Sequence, residues 1–121
     1  MFEICVKSDF SAAHKLRGYK GKCEALHGHN WKVEVYVLSP ALDKIGMVVD
    51  FKELKAALNS VLRKLDHSYV NNLPYFTKVN PTSENMAKYI FEQLQPKFKD
   101  ARVSRVTVWE SDSSAASFSG L

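Results

Sequence analysis

The chain has 121 residues and a formal net charge of +4, from 17 basic and 13 acidic side chains, which accommodates one domain and excludes a separate cofactor domain. With 45% hydrophobic, 25% charged and 12% aromatic residues, it has the balance of a soluble globular protein rather than a disordered one. No uncharged apolar run reaches the ~18–20 residues of a membrane helix. Met1-Phe2-Glu3-Ile4 also lacks a basic region followed by an apolar stretch, so a cytoplasmic protein is expected. The basic excess favours an anionic partner. Against nucleic acid stand the lack of an RNA-binding aromatic motif, of zinc-finger spacing and of a basic helix.

Residues 2–10 alternate, with Phe2, Ile4 and Val6 on one side and Glu3, Cys5 and Lys7 on the other, which predicts a half-buried strand. Residues 11–26 read as a long loop holding Gly18 and Gly21. Its basic cluster of Lys15, Arg17, Lys20 and Lys22 is either a solvated surface or a steering patch for a phosphorylated small molecule. A second strand is predicted from His27 to Leu38, with Trp31, Val33, Val35 and Val37 on one face, broken by Ser39-Pro40. A short strand is expected at 46–49, followed by a helix that Asp50 caps and Glu53 completes as a capping-box-like pair. Phe51, Leu54, Leu58, Val61, Leu62 and Leu65 form its apolar stripe. Asn71, Asn72 and Pro74 mark a loop. Asn80-Pro81-Thr82-Ser83-Glu84 starts a second helix with Met86, Ile90, Phe91 and Leu94 inward, ended by Pro96. Residues 102–110 alternate again, with Val106, Val108 and Glu110 sharing a face, and the last eleven residues read as a weakly ordered end.

Strands at both ends and helices between them predict antiparallel α+β architecture. Two helices cover one sheet face. Apolar residues on the opposite face call for another cover, most simply a second copy of the chain.

The chemistry concentrates in Cys23-Glu24-Ala25-Leu26-His27-Gly28-His29. In a strand, residues two apart point to one side, so His27 and His29 project together, a geometry suited to a metal. His14 can supply a third nitrogen if the first two strands are neighbours. Three neutral imidazoles on Zn²⁺ leave a fourth position open for water or substrate. Cys23, beside a dication and four basic residues, is then either an activated base or nucleophile or the fourth ligand of a closed structural site. Cys5 reads as a structural thiol, with no disulfide expected. Asp66-His67, placed at the end of the first helix, is either a proton shuttle with a fixed tautomer or a solvated pair. Glu110, on a buried face, needs a donor. Paired N–H groups on the amidine edge of a pterin or guanine would match it.

Six motifs in order resemble the 6-pyruvoyl-tetrahydropterin and 6-carboxytetrahydropterin synthase family. They are Phe10-Ser11-Ala12-Ala13-His14, Cys23-xxx-His27-Gly28-His29-Asn30, Val49-Asp50-Phe51, Leu65-Asp66-His67, Pro81-Thr82-Ser83-Glu84-Asn85 and Trp109-Glu110. The resemblance implies zinc on His14, His27 and His29, Cys23 as proton-abstracting base, His67 with Asp66 in the catalytic relay, and Glu110 anchoring the pterin. Thr82, Ser83 and Glu24 are implied at the substrate. It further implies the tunnelling fold, with a four-stranded antiparallel sheet, two helices on one face and sheets joining into an oligomeric barrel, a trimer or dimer of trimers. The family substrate is 7,8-dihydroneopterin triphosphate. Three residues between Cys23 and His27 resemble the carboxytetrahydropterin-forming branch of queuosine biosynthesis, whereas the pyruvoyl-forming branch has a longer loop. Glu24 resembles the glutamate of a hydroxymethyl-forming branch. The rival reading from another class is a non-enzymatic zinc- or pterin-binding module. A domain of this length with one half-covered sheet is also expected to need its oligomer to be stable and to bind substrate.

Overall fold

A computed structural model describes residues 1–20 and 25–120. Two 13-residue strands, β1 (Phe2–His14) and β2 (His27–Ser39), pair antiparallel without a break from Phe2 opposite Ser39 to His14 opposite His27. Helix α1 (Phe51–Leu62), strand β3 (Ser68–Tyr69) and helix α2 (Ser83–Leu94) follow, then β4 (Arg102–Ser111) and β5 (Ser114–Ser119). The sheet order is β3-β1-β2-β4-β5. All pairings are antiparallel except that of β3, which runs parallel to β1 at Ala12 and Ala13. The expected α+β class is therefore present, but the sheet has five strands rather than the expected four, with β3 and β5 in place of the strand expected at 46–49.

Alternation decides which face is covered. Val6, Phe10 and Ala12 of β1, Trp31, Val33, Val35 and Val37 of β2, and Val106 and Val108 of β4 are all buried on one face. Leu54, Leu58, Val61 and Leu62 of α1 and Met86, Ala87, Ile90 and Leu94 of α2 pack onto them. Each helix begins on a side-chain cap: Asp50 accepts the Lys52 N–H and Thr82 accepts the Asn85 N–H, which satisfies amide groups that the first turn leaves without partners. The Asp50 bond goes to Lys52, and no reciprocal Glu53 bond forms among the described residues.

Several expectations are corrected. Residues 46–49 form turns rather than a strand. The Asp43 carboxylate accepts the N–H groups of Ile45 and Met47, and Gly46 sits at φ +89°, so the ladder's donors are already engaged. Phe51 is half exposed and leaves the α1 stripe. The last residues are ordered in β5, where Phe118 pairs opposite Val106 and its ring meets Phe91 at 5.1 Å. Ser and Ala there suit an edge strand that needs one apolar contact to dock. Strand β1 reaches His14, so the loop after it begins four residues later than the pattern predicts.

The uncovered face is polar rather than apolar. Glu34 accepts the Trp109 Nε1–H at 2.5 Å and the Tyr36 hydroxyl at 3.2 Å, Lys7 approaches Glu34 at 3.7 Å, and Arg105 stacks over the Tyr36 ring at 4.0 Å. Donation from the Trp109 indole holds the Glu34 carboxyl below its usual range. Apolar exposure therefore does not demand a cover for this face.

Candidate functional site

The unbroken β1–β2 register sets His14 directly opposite His27. His29, two residues on, shares the His27 face because side-chain direction repeats every second residue. Glu110, two residues beyond Val108 on β4, reaches the same place. One ligand atom from each of His14, His27, His29 and Glu110 lies within 4.8 Å of the other three. His14 is buried, and the other three are partly exposed.

The hydrogen bonds around this group set its chemistry. His14 Nδ1–H donates to the Pro81 carbonyl at 2.8 Å, and His27 Nδ1–H donates to the Ala25 carbonyl at 2.7 Å. In neutral rings each carbonyl fixes the proton on Nδ1 and leaves Nε2 a bare electron pair. Those two Nε2 atoms face each other at 2.9 Å. His29 Nε2 is buried with no hydrogen-bond partner among the described residues, and the Glu110 Oε1 stands 3.4 Å from it. Burial lowers the pKa of both His14 and His29, which keeps the rings neutral and able to ligate.

Convergent electron pairs with their outer protons fixed by carbonyls fit a cation. Nitrogen ligands on a tetrahedral zinc would stand about 3.3 Å apart, from Zn–N lengths of ~2.0–2.1 Å, a few tenths of an ångström wider than the His14–His27 pair. Three nitrogens and one oxygen form a borderline donor set of the kind that zinc accepts.

A second group lies along the β1 edge. Ser11 N–H donates to Asp66 Oδ1 at 2.8 Å, His67 N–H donates to the Ser11 carbonyl at 2.6 Å, and Asp66 Oδ2 meets His67 Nδ1 at 3.0 Å. The Ser11 amide first, then His67, holds the Asp66 carboxyl below its usual range. His67 adopts φ +54°, a left-handed conformation costing a non-glycine residue about 1–2 kcal/mol. The pair sits in a turn four residues after α1 ends at Leu62, not at the helix end as expected. The His67 ring is exposed and lines a groove of about 440 Å³ with Gly28, His29 and Asn30. It does not join the four-residue cluster.

Thr82 is committed to capping α2, whereas Ser83 donates to Glu110 Oε2 at 3.4 Å. Of the basic loop, Lys15, Arg17 and Lys20 are all exposed, but Arg17 donates to the carbonyls of Phe76 and Val79 at 2.7 and 2.8 Å, so its charge is tied to the scaffold. Cys23, Glu24 and Lys22 lie outside the described residues.

A family model described as 6-pyruvoyl tetrahydropterin synthase matches residues 3–120. The chain belongs to the 6-pyruvoyl tetrahydropterin synthase family. It is 41% identical over 100 residues to a 6-carboxy-5,6,7,8-tetrahydropterin synthase of Synechocystis, covering 78% of this chain and 76% of that one. It is also 34% identical over 108 residues to a dihydroneopterin monophosphate aldolase of Pyrococcus furiosus, covering 88% of each. The solved structure of the Caenorhabditis elegans 6-pyruvoyl tetrahydropterin synthase superposes with a TM-score of 0.88 at 29% identity, over 99% of this chain and 96% of that one.

Within this family fold, sequence reasoning missed the floor of the cluster. The Trp31 ring is fully buried, with its centroid 4.9 Å from His14 and 5.1 Å from His29, and its Nε1–H donates to the Ala12 carbonyl at 3.3 Å. Strand parity from His29 to Trp31 was the available signal. Nothing in the sequence pointed to the carbonyls of Pro81 and Ala25. Gly28 falls on the face opposite the histidines. A Cβ there would meet only the Ala12 carbonyl, at 3.7 Å.

Proposed function

We propose that this protein is a zinc-dependent 6-carboxy-5,6,7,8-tetrahydropterin synthase. It would convert 7,8-dihydroneopterin triphosphate to 6-carboxytetrahydropterin with release of acetaldehyde and triphosphate, in the cytoplasmic route to queuosine. The observation that carries this reading is the convergence of three imidazoles and the Glu110 carboxylate in a family member 41% identical to a protein of that activity.

His14, His27 and His29 hold the metal, with the Pro81 and Ala25 carbonyls orienting two of the rings. When bound, zinc supplies Lewis acidity that makes the substrate C–H beside its oxygens easier to deprotonate. Glu110 accepts the paired N–H groups of the pterin edge, a bidentate and charge-assisted match, and Ser83 donates a further, long hydrogen bond to its Oε2. Cys23 removes the side-chain proton as its thiolate. His67, its Nδ1 held by Asp66, returns a proton through Nε2. Lys15 and Lys20, whose side chains make no hydrogen bond among the described residues, are cations placed to meet the triphosphate.

A homo-oligomer completes the reading. Among the described residues, only Ala12 and Ala13 of β1 meet β3, and β5 pairs only with β4, so each end of the sheet offers an edge to another copy. Heterologous edge pairing that closes on itself makes a ring.

Incubation of the zinc-loaded protein with dihydroneopterin triphosphate is expected to yield acetaldehyde and the carboxy pterin by mass spectrometry. Pyruvoyl or hydroxymethyl pterin as the main product would reassign the branch. Acetaldehyde release that survives Cys23→Ala would remove Cys23 as the base. Strong thiolate charge transfer in the resting cobalt protein would favour a closed binding module instead.

A further inference from the structure

Glu110 belongs to two sets of contacts. Its Oε1 stands 3.4 Å from His29 Nε2, inside the group whose ligand atoms lie within 4.8 Å of one another. Its Oε2 accepts the Ser83 hydroxyl at 3.4 Å. Both contacts are at the long end for hydrogen bonds, so neither neighbour locks the carboxylate, and its side chain is about a third exposed, at 32%. The nearest nitrogen, His29 Nε2, is buried and has no hydrogen-bond partner among the described residues. With its proton on Nδ1, His29 turns the Nε2 electron pair toward the carboxylate, and a divalent cation between the two atoms attracts both.

The amidine edge of a pterin asks for the same two oxygens. An oxygen that donates its electron pair to a metal is a weaker acceptor for N–H, so the two uses compete. Resting on the function proposed above, we propose that Glu110 is an exchanging ligand. It completes the coordination of the metal in the ligand-free protein as a fourth, oxygen donor, and it is drawn away when the amidine edge of the substrate claims it. The coordination position then opens only when substrate is seated. The exchange breaks one metal–oxygen coordinate bond and forms two N–H···O bonds, with no change of oxidation state. The three-histidine set alone does not predict this coupling, because it leaves the fourth position open at all times.

Linkage tests it without turnover. The probes are zinc and 2-amino-4-hydroxypyrimidine, which carries the amidine edge but no side-chain hydroxyl. Calorimetric titration of the unmodified protein is expected to show the pyrimidine binding about tenfold more weakly to the zinc-loaded form than to the metal-free form. By reciprocity the pyrimidine should weaken zinc binding by the same factor, within the ~5–150-fold range of such couplings. Equal affinities for both forms would overturn the exchange. Glu110→Gln, checked by circular dichroism, is expected to bind zinc about tenfold more weakly and to show no coupling. Zinc affinity unchanged in that variant overturns the exchange while leaving the anchoring of the pterin intact. Pyrimidine affinity unchanged in Glu110→Ala, or no binding to the metal-free protein, instead refutes the anchoring role itself, and the exchange with it.

Discussion

Replacing Trp31 with phenylalanine separates what the indole does for the core from what it does for the histidines. The ring is fully buried between Phe10, at 6.0 Å, and the imidazoles of His14 and His29. Phenylalanine leaves a void of roughly 40 Å³, which at ~24 cal/mol per Å³ costs about 1 kcal/mol. The apolar area no longer buried costs about 1 kcal/mol more. Loss of the indole donor to the Ala12 carbonyl, long at 3.3 Å, adds about 0.5 kcal/mol. The sum is roughly 2.5 kcal/mol, or a melting temperature lower by about 10 °C for a chain of this size. Denaturant unfolding with a chelator present, at matched protomer concentration, measures that loss without the contribution of metal binding. Because the same ring supports two of the three candidate nitrogen ligands, zinc affinity by chelator competition should also fall, by about 10-fold or more, as when outer support for a ligand is removed. A stability loss below ~1 kcal/mol would refute the packing account, which assumes that the void does not refill. The expected stability loss with zinc affinity unchanged would show that the indole fills the core without positioning the rings.

Asp66→Asn keeps an oxygen for the Ser11 amide but removes the charge beside His67, so turnover is expected to fall about 10²–10⁴-fold with little change in zinc binding. Metal-free protein should lose stability as pH drops below about 6.5 toward the lowered values of His14 and His29. In that window the unfolded imidazoles take up protons that the buried rings refuse, and urea midpoints in chelator across pH 5–8 check it. Gly28→Ala is expected to leave zinc affinity within about twofold and to raise stability by up to ~0.5–1 kcal/mol, since its Cβ meets an ordinary contact at 3.7 Å and glycine weakens a strand. Arg17→Ala should cost about 1 kcal/mol through two lost hydrogen bonds, the one to Val79 open to water, against ~0.5 kcal/mol or less for Lys15→Ala or Lys20→Ala, as read from thermal melts.

Strand parity carried most of the site into view. The His27/His29 repeat, the Val106-Val108-Glu110 repeat and the buried valines of β2 each follow from a period of two. Chain order alone could not say that β1 lies beside β2 with His14 opposite His27, but two long alternating runs made that pairing the natural one. The failures share a cause. Residues 46–49 carry strand-like side chains, yet the Asp43 carboxylate captures the amides that a ladder would need. The β5 segment lacks the usual strand residues, yet docks through Phe118 on Phe91. In both places a contact made by one side chain outweighs the average preference of its neighbours.

The deeper illegibility lies in the turn before α2, where four consecutive residues serve four different partners. The Asn80 amide exchanges two hydrogen bonds with the backbone of Arg17. The Pro81 carbonyl takes the Nδ1 proton of His14. Thr82 caps the helix and Ser83 reaches Glu110. By residue type alone, Asn-Pro-Thr-Ser reads as a helix start. In three dimensions it ties the exit of β1, a candidate metal ligand, the second helix and the candidate pterin anchor to one short stretch of backbone. Proline suits that role because a carbonyl that must point at an imidazole gains from a backbone whose φ is already restricted. Displacement of this turn would therefore move His14 and the support of Glu110 together, which is the mechanical condition for metal and substrate binding to sense each other across the site.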